Sequence, residues 1–393
     1  MHRILFNIFL HVSCLFLIDQ TSFAQRHYLP EHPVDAKLIH ITWDTSTLRY
    51  VASGGYARMI ELKNGRLVTV YAAYNGNTEI VTSGDKGNHW SSPIVVAAKA
   101  NGIRMDAPDI LLLQDNSLMI SYNPRPIGRN IDTSKHFAIR VIKSYDGGAS
   151  WKDDKLLYEA SYQFKDGCWE PSALQLPSGE IQLFFSNEGI YTNSNEQNIS
   201  MLRSFDNGKT WSSKPEIVSF RKGSRDGMPV PVYLPKSEEI LFSIEDNGFS
   251  NFKPYIIRST IKNNWSKTMT AYSPNREYAL KDSLPEDVYA GAPYLRLLVN
   301  GNTLLSYQST QFRSGKQDVH NAEMVVTVGD SEGLNFTDPT DPFKIPAIAT
   351  GLWNSITVLQ DSSIIALTST NAYNQHGVWM IKGYVFVDNK TSK

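Results

Sequence analysis

A chain of 393 residues, 41% hydrophobic and 20% charged, can bury a large core. Its formal net charge of −1 excludes the basic excess with which proteins neutralise nucleic-acid phosphates, so no nucleic-acid partner is expected. Nine scattered histidines show no HExxH or other ligand spacing, which leaves carboxylates, hydroxyls, arginines and aromatic rings to carry any chemistry.

The first stretch, "MHRILFNIFLHVSCLFLIDQTSFAQ", places Arg3 before an apolar run from Ile4 to Ile18, with small Ser22 and Ala24 ahead of Gln25. That is the layout of a cleaved secretory signal. A membrane anchor fits less well, because the run is short and is broken by Asn7 and His11. The expectation is a signal over residues 1–24 and one domain over 25–393, secreted or periplasmic, with no membrane span in the mature chain. Cys14 then leaves with the signal. Cys168 alone can form neither a disulfide framework nor a cysteine metal site.

From residue 57 onward one hairpin pattern recurs six times: a short apolar run, a polar turn, and a second run rich in aliphatic and aromatic residues. The copies are "ARMIELKNGRLVTVY", "PDILLLQDNSLMISY", "PSALQLPSGEIQLFF", "PVPVYLPKSEEILFS", "PYLRLLVNGNTLLSY" and "NSITVLQDSSIIALT", starting at 57, 108, 171, 229, 293 and 354. Steps of 51 to 64 residues match a four-stranded blade, and six copies fill the mature chain. A second motif, Ser-x-Asp-x-Gly-x-x-Trp, rides on the first at 83–90, 144–151 and 204–211, with worn copies at 258–265 and 329–336. These residue types make a tight turn: Ser and Asp oxygens accept backbone N–H groups, Gly supplies positive φ, and Trp packs beneath. The turn accounts for the aspartates without any catalytic role. The pattern predicts an all-β, six-bladed β-propeller, with "KLIHITWD" (37–44) pairing near 377–388 to close the ring.

In a propeller the innermost strands start beside the axis, so residues just before the six hairpins face one pocket. That ring reads Tyr56 and Arg58, Asp106 and Asp109, Trp169 and Glu170, Asp226 and Met228, Ala292 and Tyr294, and Trp353 and Ser355. Unpaired charge of this density is expensive in a core, whereas a sugar site uses it: rings stack on C–H faces while Asp, Arg and Tyr bond hydroxyls. The returning strands end in further acids, Glu188, Glu245 and Asp246. Hydrolysis of a glycoside needs two carboxyl groups across the scissile bond, and Glu170 and Glu245 on neighbouring blades can supply them. The plainer reading of each is a surface glutamate or a partner for an arginine such as Arg225. "CWEPS" and "SIEDNG" argue against it by placing Glu170 between a large ring and a rigid proline at the pocket rim and Glu245 at an apolar strand's end.

Three Ser-x-Asp-x-Gly-x-x-Trp boxes on a six-blade repeat resemble the sialidase superfamily with its Asp-box (BNR) repeats, over essentially the whole mature chain. "CWEPS", "SIEDNG", "AGAPYL" and "LSYQST" resemble most the exo-α-1,5-L-arabinanase family, glycoside hydrolase family 93-like. By that resemblance Glu170 is the nucleophile and Glu245 the general acid/base of a retaining mechanism, with Tyr289, Tyr294 and Gln308 as subsite residues. True sialidases carry an Arg-Ile-Pro near the first blade, but "YARMIEL" has Arg58 without Ile-Pro, and Arg225, Arg296 and Arg313 have no convincing counterparts. The expected function is a monomeric exo-acting glycoside hydrolase on arabinan-like or related oligosaccharides or polysaccharides, without metal or cofactor. Its expected substrate contacts are Arg58, Asp106, Asp109, Trp169, Glu188, Arg225, Asp226, Tyr289, Tyr294, Gln308 and Trp353. The alternatives are an exo-α-sialidase, which needs converging arginines, and a non-catalytic glycan-binding propeller.

Overall fold

The six repeated hairpins become the two innermost strands of six four-stranded antiparallel sheets in a computed structural model that describes residues 29–127 and 132–387. The expected signal segment lies outside the described residues. In chain order the innermost strands are Gly54–Glu61, Ile103–Leu112, Cys168–Gln175, Asp226–Leu234, Ala290–Leu297 and Gly351–Val358, which define blades one to six. Their returning partners are Leu67–Ala73, Leu118–Pro126, Ile181–Asn187, Glu239–Asp246, Thr303–Ser309 and Ile364–Thr370.

Blade six takes its outermost strand from the start of the domain. Ile39–Ala52 pairs antiparallel with Gly377–Val387, joining Ile39 to Val387 and Asp44 to Lys382, as the opening sequence leads one to expect. This leaves the ring of blades without a break in the chain's two-ended closure.

Six buried apolar clusters occupy the six blade interfaces among the described residues. Val70 and Ile80 of blade one meet Ile110 and Ile120 of blade two, for example, and Phe184 of blade three meets Phe242 of blade four. The Ser-x-Asp-x-Gly-x-x-Trp turns feed these interfaces. In blade two, Ser144 Oγ accepts Gly148 N–H at 2.8 Å and Asp146 Oδ1 accepts Ser150 N–H at 2.9 Å, with Gly148 at φ 94°. The same bonds recur around Ser83 and Ser204. Each turn presses its ring into the boundary with the preceding blade: Trp90 at six–one, Trp151 at one–two and Trp211 at two–three. The worn copies behave alike, with Trp265 at three–four and Phe336 at four–five. A Cβ on Gly148 would stand 3.1 Å from Ile80 of blade one, so the glycine lets the turn close onto its neighbour. The motif therefore mortars blades together by burying apolar surface between them.

Candidate active site

Every innermost strand bulges at one place. The pairing moves from Gly55↔Ala72 to Arg58↔Val70 in blade one and from Trp169↔Ser186 to Ser172↔Phe184 in blade three, three residues on one strand against two on the other. The same slip occurs in the other four blades. One residue per bulge is left in the left-handed region: Tyr56, Ala107, Glu170, Met228, Ala292 and Trp353, with φ between 41° and 56°. These are the aligned positions of the sequence repeat. A bulge re-aims its side chain, and six of them aim six residues at the axis.

Left-handed backbone on non-glycine residues persists only where surroundings fix it. In four of the six bulges the fixing group comes from the returning strand of the preceding blade, and in blade two Asp106 Oδ1 accepts the Ala107 N–H at 2.9 Å. Met228 N–H is accepted by Ser186 Oγ at 2.9 Å, Ala292 N–H by Glu245 Oε2 at 2.9 Å, Trp353 N–H by Gln308 Oε1 at 2.9 Å and Tyr56 N–H by Ser369 Oγ at 3.1 Å. Glu245 thus occupies a position filled in three other blades by the uncharged acceptors Ser186, Gln308 and Ser369. A carboxyl group is more than that hydrogen bond requires.

A cavity of about 400 Å³ opens at this end of the axis, lined by Tyr56, Arg104, Asp106, Arg125, Glu170 and Trp353 among others. It lies over blades six, one, two and three. Glu245, on blade four, is not part of its lining, although it is near enough to Glu170 for the two charges to interact. Sugar-sized space thus adjoins Glu170, and Glu245 lies outside its lining.

The two acids have different electrostatic surroundings. Glu170 is raised by burial, and Arg125, whose Nη2 donates to Oε1 at 3.1 Å, pulls it back. Burial raises Glu245 to about 7; the Ala292 N–H opposes that rise and the Glu170 charge adds to it. Its carboxyl fits between two glycines, since a Cβ on Gly227 would lie 3.0 Å from Oε1 and one on Gly291 2.9 Å from Oε2. One acid held beside a guanidinium and another kept protonated near neutrality is the division that acid-assisted displacement needs.

The other expected contacts fall into layers. Asp106 and Trp353 line the cavity; Asp106 pairs with Arg104 at 3.0 Å, and Trp353 stands 6.1 Å from Tyr56, ring centre to ring centre. One layer down the axis are Arg58, Asp109 and Tyr294, all buried. The Arg58 guanidinium lies 3.9 Å over the Tyr56 ring and 4.6 Å over Tyr294, and Asp109 accepts the Ser172 hydroxyl at 2.6 Å. Behind Glu170, the Trp169 indole donates to Glu188 at 2.9 Å, and Glu188 pairs with Arg225. Tyr289 stands beside Glu245, its hydroxyl accepting from Gln308 Nε2 at 2.7 Å; Gln308 is fully buried, with both ends of its amide engaged.

Asp226 departs from the expectation of a pocket residue. It lies two residues before the ring position Met228, at the first position of its strand and outside the bulge that begins after Gly227. There it is wholly buried, bonded to Arg276 at 2.8 and 2.9 Å, Arg221 at 2.9 Å and the Ser219 hydroxyl at 2.7 Å.

The four arginines named from the sequence do not converge. Arg58 and Arg296 flank Tyr294, Arg225 is with Glu188, and Arg313 is held by Glu323 and the Pro346 carbonyl. Sequence reasoning missed Arg104, Arg125, Tyr74 and His376, which line the cavity. Arg104 and Arg125 face each other across the innermost hairpin of blade two, whose pairing continues to Ile103↔Pro126. "NPRP" reads as a loop because of its prolines, yet proline fits this strand end.

No protein-family model and no curated protein matches the chain. Solved structures do. A family 93 α-L-arabinofuranosidase of Fusarium graminearum with arabinobiose is 17% identical, with a TM-score of 0.61 over 86% of this chain and 94% of that one. An α-L-arabinanase of Penicillium chrysogenum with arabinobiose is 16% identical, with a TM-score of 0.59 and the same coverage. The NanB sialidase of Streptococcus pneumoniae is 14% identical, with a TM-score of 0.59 over 94% of this chain and 72% of that one. The chain therefore has the six-bladed, sialidase-like propeller fold that family 93 arabinanases and sialidases share.

Proposed function

We propose that the protein is an exo-acting glycoside hydrolase of arabinan-like glycans, with Glu170 as nucleophile and Glu245 as general acid/base. The observation that carries this reading is the contrast between the two ring acids. Glu170 is hydrogen-bonded to a guanidinium, whereas Glu245, at about 7, has a backbone N–H for its hydrogen-bond donor. In the first step a Glu170 oxygen bonds to the anomeric carbon as the carbon–oxygen bond to the leaving group breaks, and the Glu245 proton passes to that oxygen. In the second, Glu245 takes a proton from water, whose oxygen displaces Glu170. The cavity on the Glu170 side would hold the sugar being transferred, and the leaving group would lie towards Glu245.

Two structural neighbours bear arabinobiose, which favours arabinan among neutral glycans. Arg58, Arg225, Arg296 and Arg313 are dispersed, and the cavity's Arg104 and Arg125 are already paired with Asp106 and Glu170, which argues against a free sialic-acid carboxylate clamp. Among the described residues no helix is long and apolar enough to cross a membrane. The test is hydrolysis of α-1,5-linked arabino-oligosaccharides and an aryl α-L-arabinofuranoside by the protein and by Glu170→Gln. Release of sugar by the first and not the second is expected. Turnover of sialosides alone would support the sialidase alternative, and binding without turnover on a broad glycan panel a lectin.

A further inference from the structure

The free oxygen of Glu245 has a built surround that the two-acid reading does not use. Glu188, 2% exposed, accepts the Trp169 indole N–H at 2.9 Å and pairs with the Arg225 guanidinium. Arg225 Nη2 also donates to Gln197 Oε1 at 2.9 Å, and its backbone N–H to Asn247 Oδ1 at 2.8 Å. The Gln197 amide donates to the Asp226 carbonyl at 2.8 Å. A Cβ on Gly227 would stand 2.9 Å from Gln197 Nε2 and 3.0 Å from Glu245 Oε1, so amide and carboxyl oxygen flank one point. The Arg225 side chain stays 38% exposed and is not part of the cavity lining.

We propose that Arg225, braced by Glu188 and Gln197, is a positioning residue for the free oxygen of Glu245 on the leaving-group side. The catalytic part of this inference rests on Glu245 being the acid. Around that carboxyl the charged and titratable groups are Glu170 from blade three, Arg225 from the loop entering blade four and Tyr289 from the loop entering blade five. Arg225 opposes the proton on Glu245, and Glu188 tempers Arg225. Glu188 is thereby reassigned from substrate contact to the group that holds and moderates the arginine.

Two substitutions then push Glu245 in opposite directions. Arg225→Gln removes a cation, so Glu245 should titrate higher. Glu188→Gln keeps an acceptor for the indole but frees the full charge of Arg225, so Glu245 should titrate lower. Arg225→Lys should stay near wild type. The direct measurement is carboxyl titration by NMR in protein labelled at the glutamate δ-carbon, with the Glu245 signal assigned by its loss in Glu245→Gln. The pH profile of aryl α-L-arabinofuranoside hydrolysis should shift its basic limb with the same signs. Shifts in one direction for both variants, or none, overturn the proposal. If wild type hydrolyses no glycoside, the functional reading fails, and the NMR titration by itself still decides the coupling.

Discussion

Glu245 accepts the Ala292 N–H at 2.9 Å just as Gln308, one blade on, accepts that of Trp353. A glutamine at 245 can therefore keep the junction. Glu245→Gln should melt close to wild type near pH 4.5, no lower than wild type at higher pH, and lose hydrolysis, because an amide can hold the bulge but cannot deliver a proton. Glu245→Ala leaves that N–H without its acceptor and should also destabilise the fold by about 1–3 kcal/mol. Thermal melts beside turnover would separate the two roles; equal destabilisation by Gln and Ala would contradict the structural one.

The pH dependence follows from the raised Glu245. Hydrolysis should fall above about pH 7 as this carboxyl gives up its proton. Stability carries the same group with a definite sign. Between its ordinary 4.5 and about 7 the folded state keeps a proton that the unfolded state has released, so its contribution declines as pH rises through that window. Glu245→Gln should remove this decline. The melting-temperature difference, variant minus wild type, should grow from pH 4.5 to pH 7 and then level off.

Asp226 tests stability alone. Its carboxyl is held below the usual range by Arg276 and Arg221 in spite of burial, within a cluster that also contains Asp246. With a depressed value, the contribution is complete above the ordinary 3.8 and is lost as pH falls through the lower folded value. Asp226→Asn should lose it at neutral pH too, by about 3–5 kcal/mol, since two buried guanidinium groups lose a charged partner. Urea unfolding measures this; a loss well below 1 kcal/mol would mean the cluster relaxes around the change.

The propeller was legible because its information is local and repeated. Hairpin alternation, turn chemistry and a roughly sixty-residue period all lie within short windows, and the bulge positions sit at fixed offsets from them. The ring holding Glu170 and Glu245 followed from the same register. What lay hidden was the direction of individual side chains. Asp226 lies two residues before the ring position Met228 and is spent on Arg276 and Arg221, and Gln308 and Glu188 spend their polar atoms on neighbours that alignment cannot show. Arg125 was hidden differently, because its role depends on the hairpin of blade two running past the ring, a length that two prolines disguise.

Gly291 offers the sharpest structural test of the site. A Cβ there would stand 2.5 Å from the Tyr289 hydroxyl and 2.9 Å from Glu245 Oε2, between two groups fixed by Gln308 and Ala292. The backbone of Gly291 is not in the left-handed region, so alanine adds a methyl group without conformational strain. One of the two neighbours must then move, and overpacking of this kind costs about 1–3 kcal/mol. Because Glu245 is displaced from the ring, hydrolysis should fall far more than stability does, at least tenfold for a misplaced acid. Gly84→Ala is the control, since nothing lies within 4 Å of its Cβ position and it is remote from the cavity lining. Melting and turnover of the two variants, measured side by side, should show both properties intact in Gly84→Ala. If Gly291→Ala keeps wild-type turnover, Glu245 does not need its observed placement, and its assignment as the acid fails.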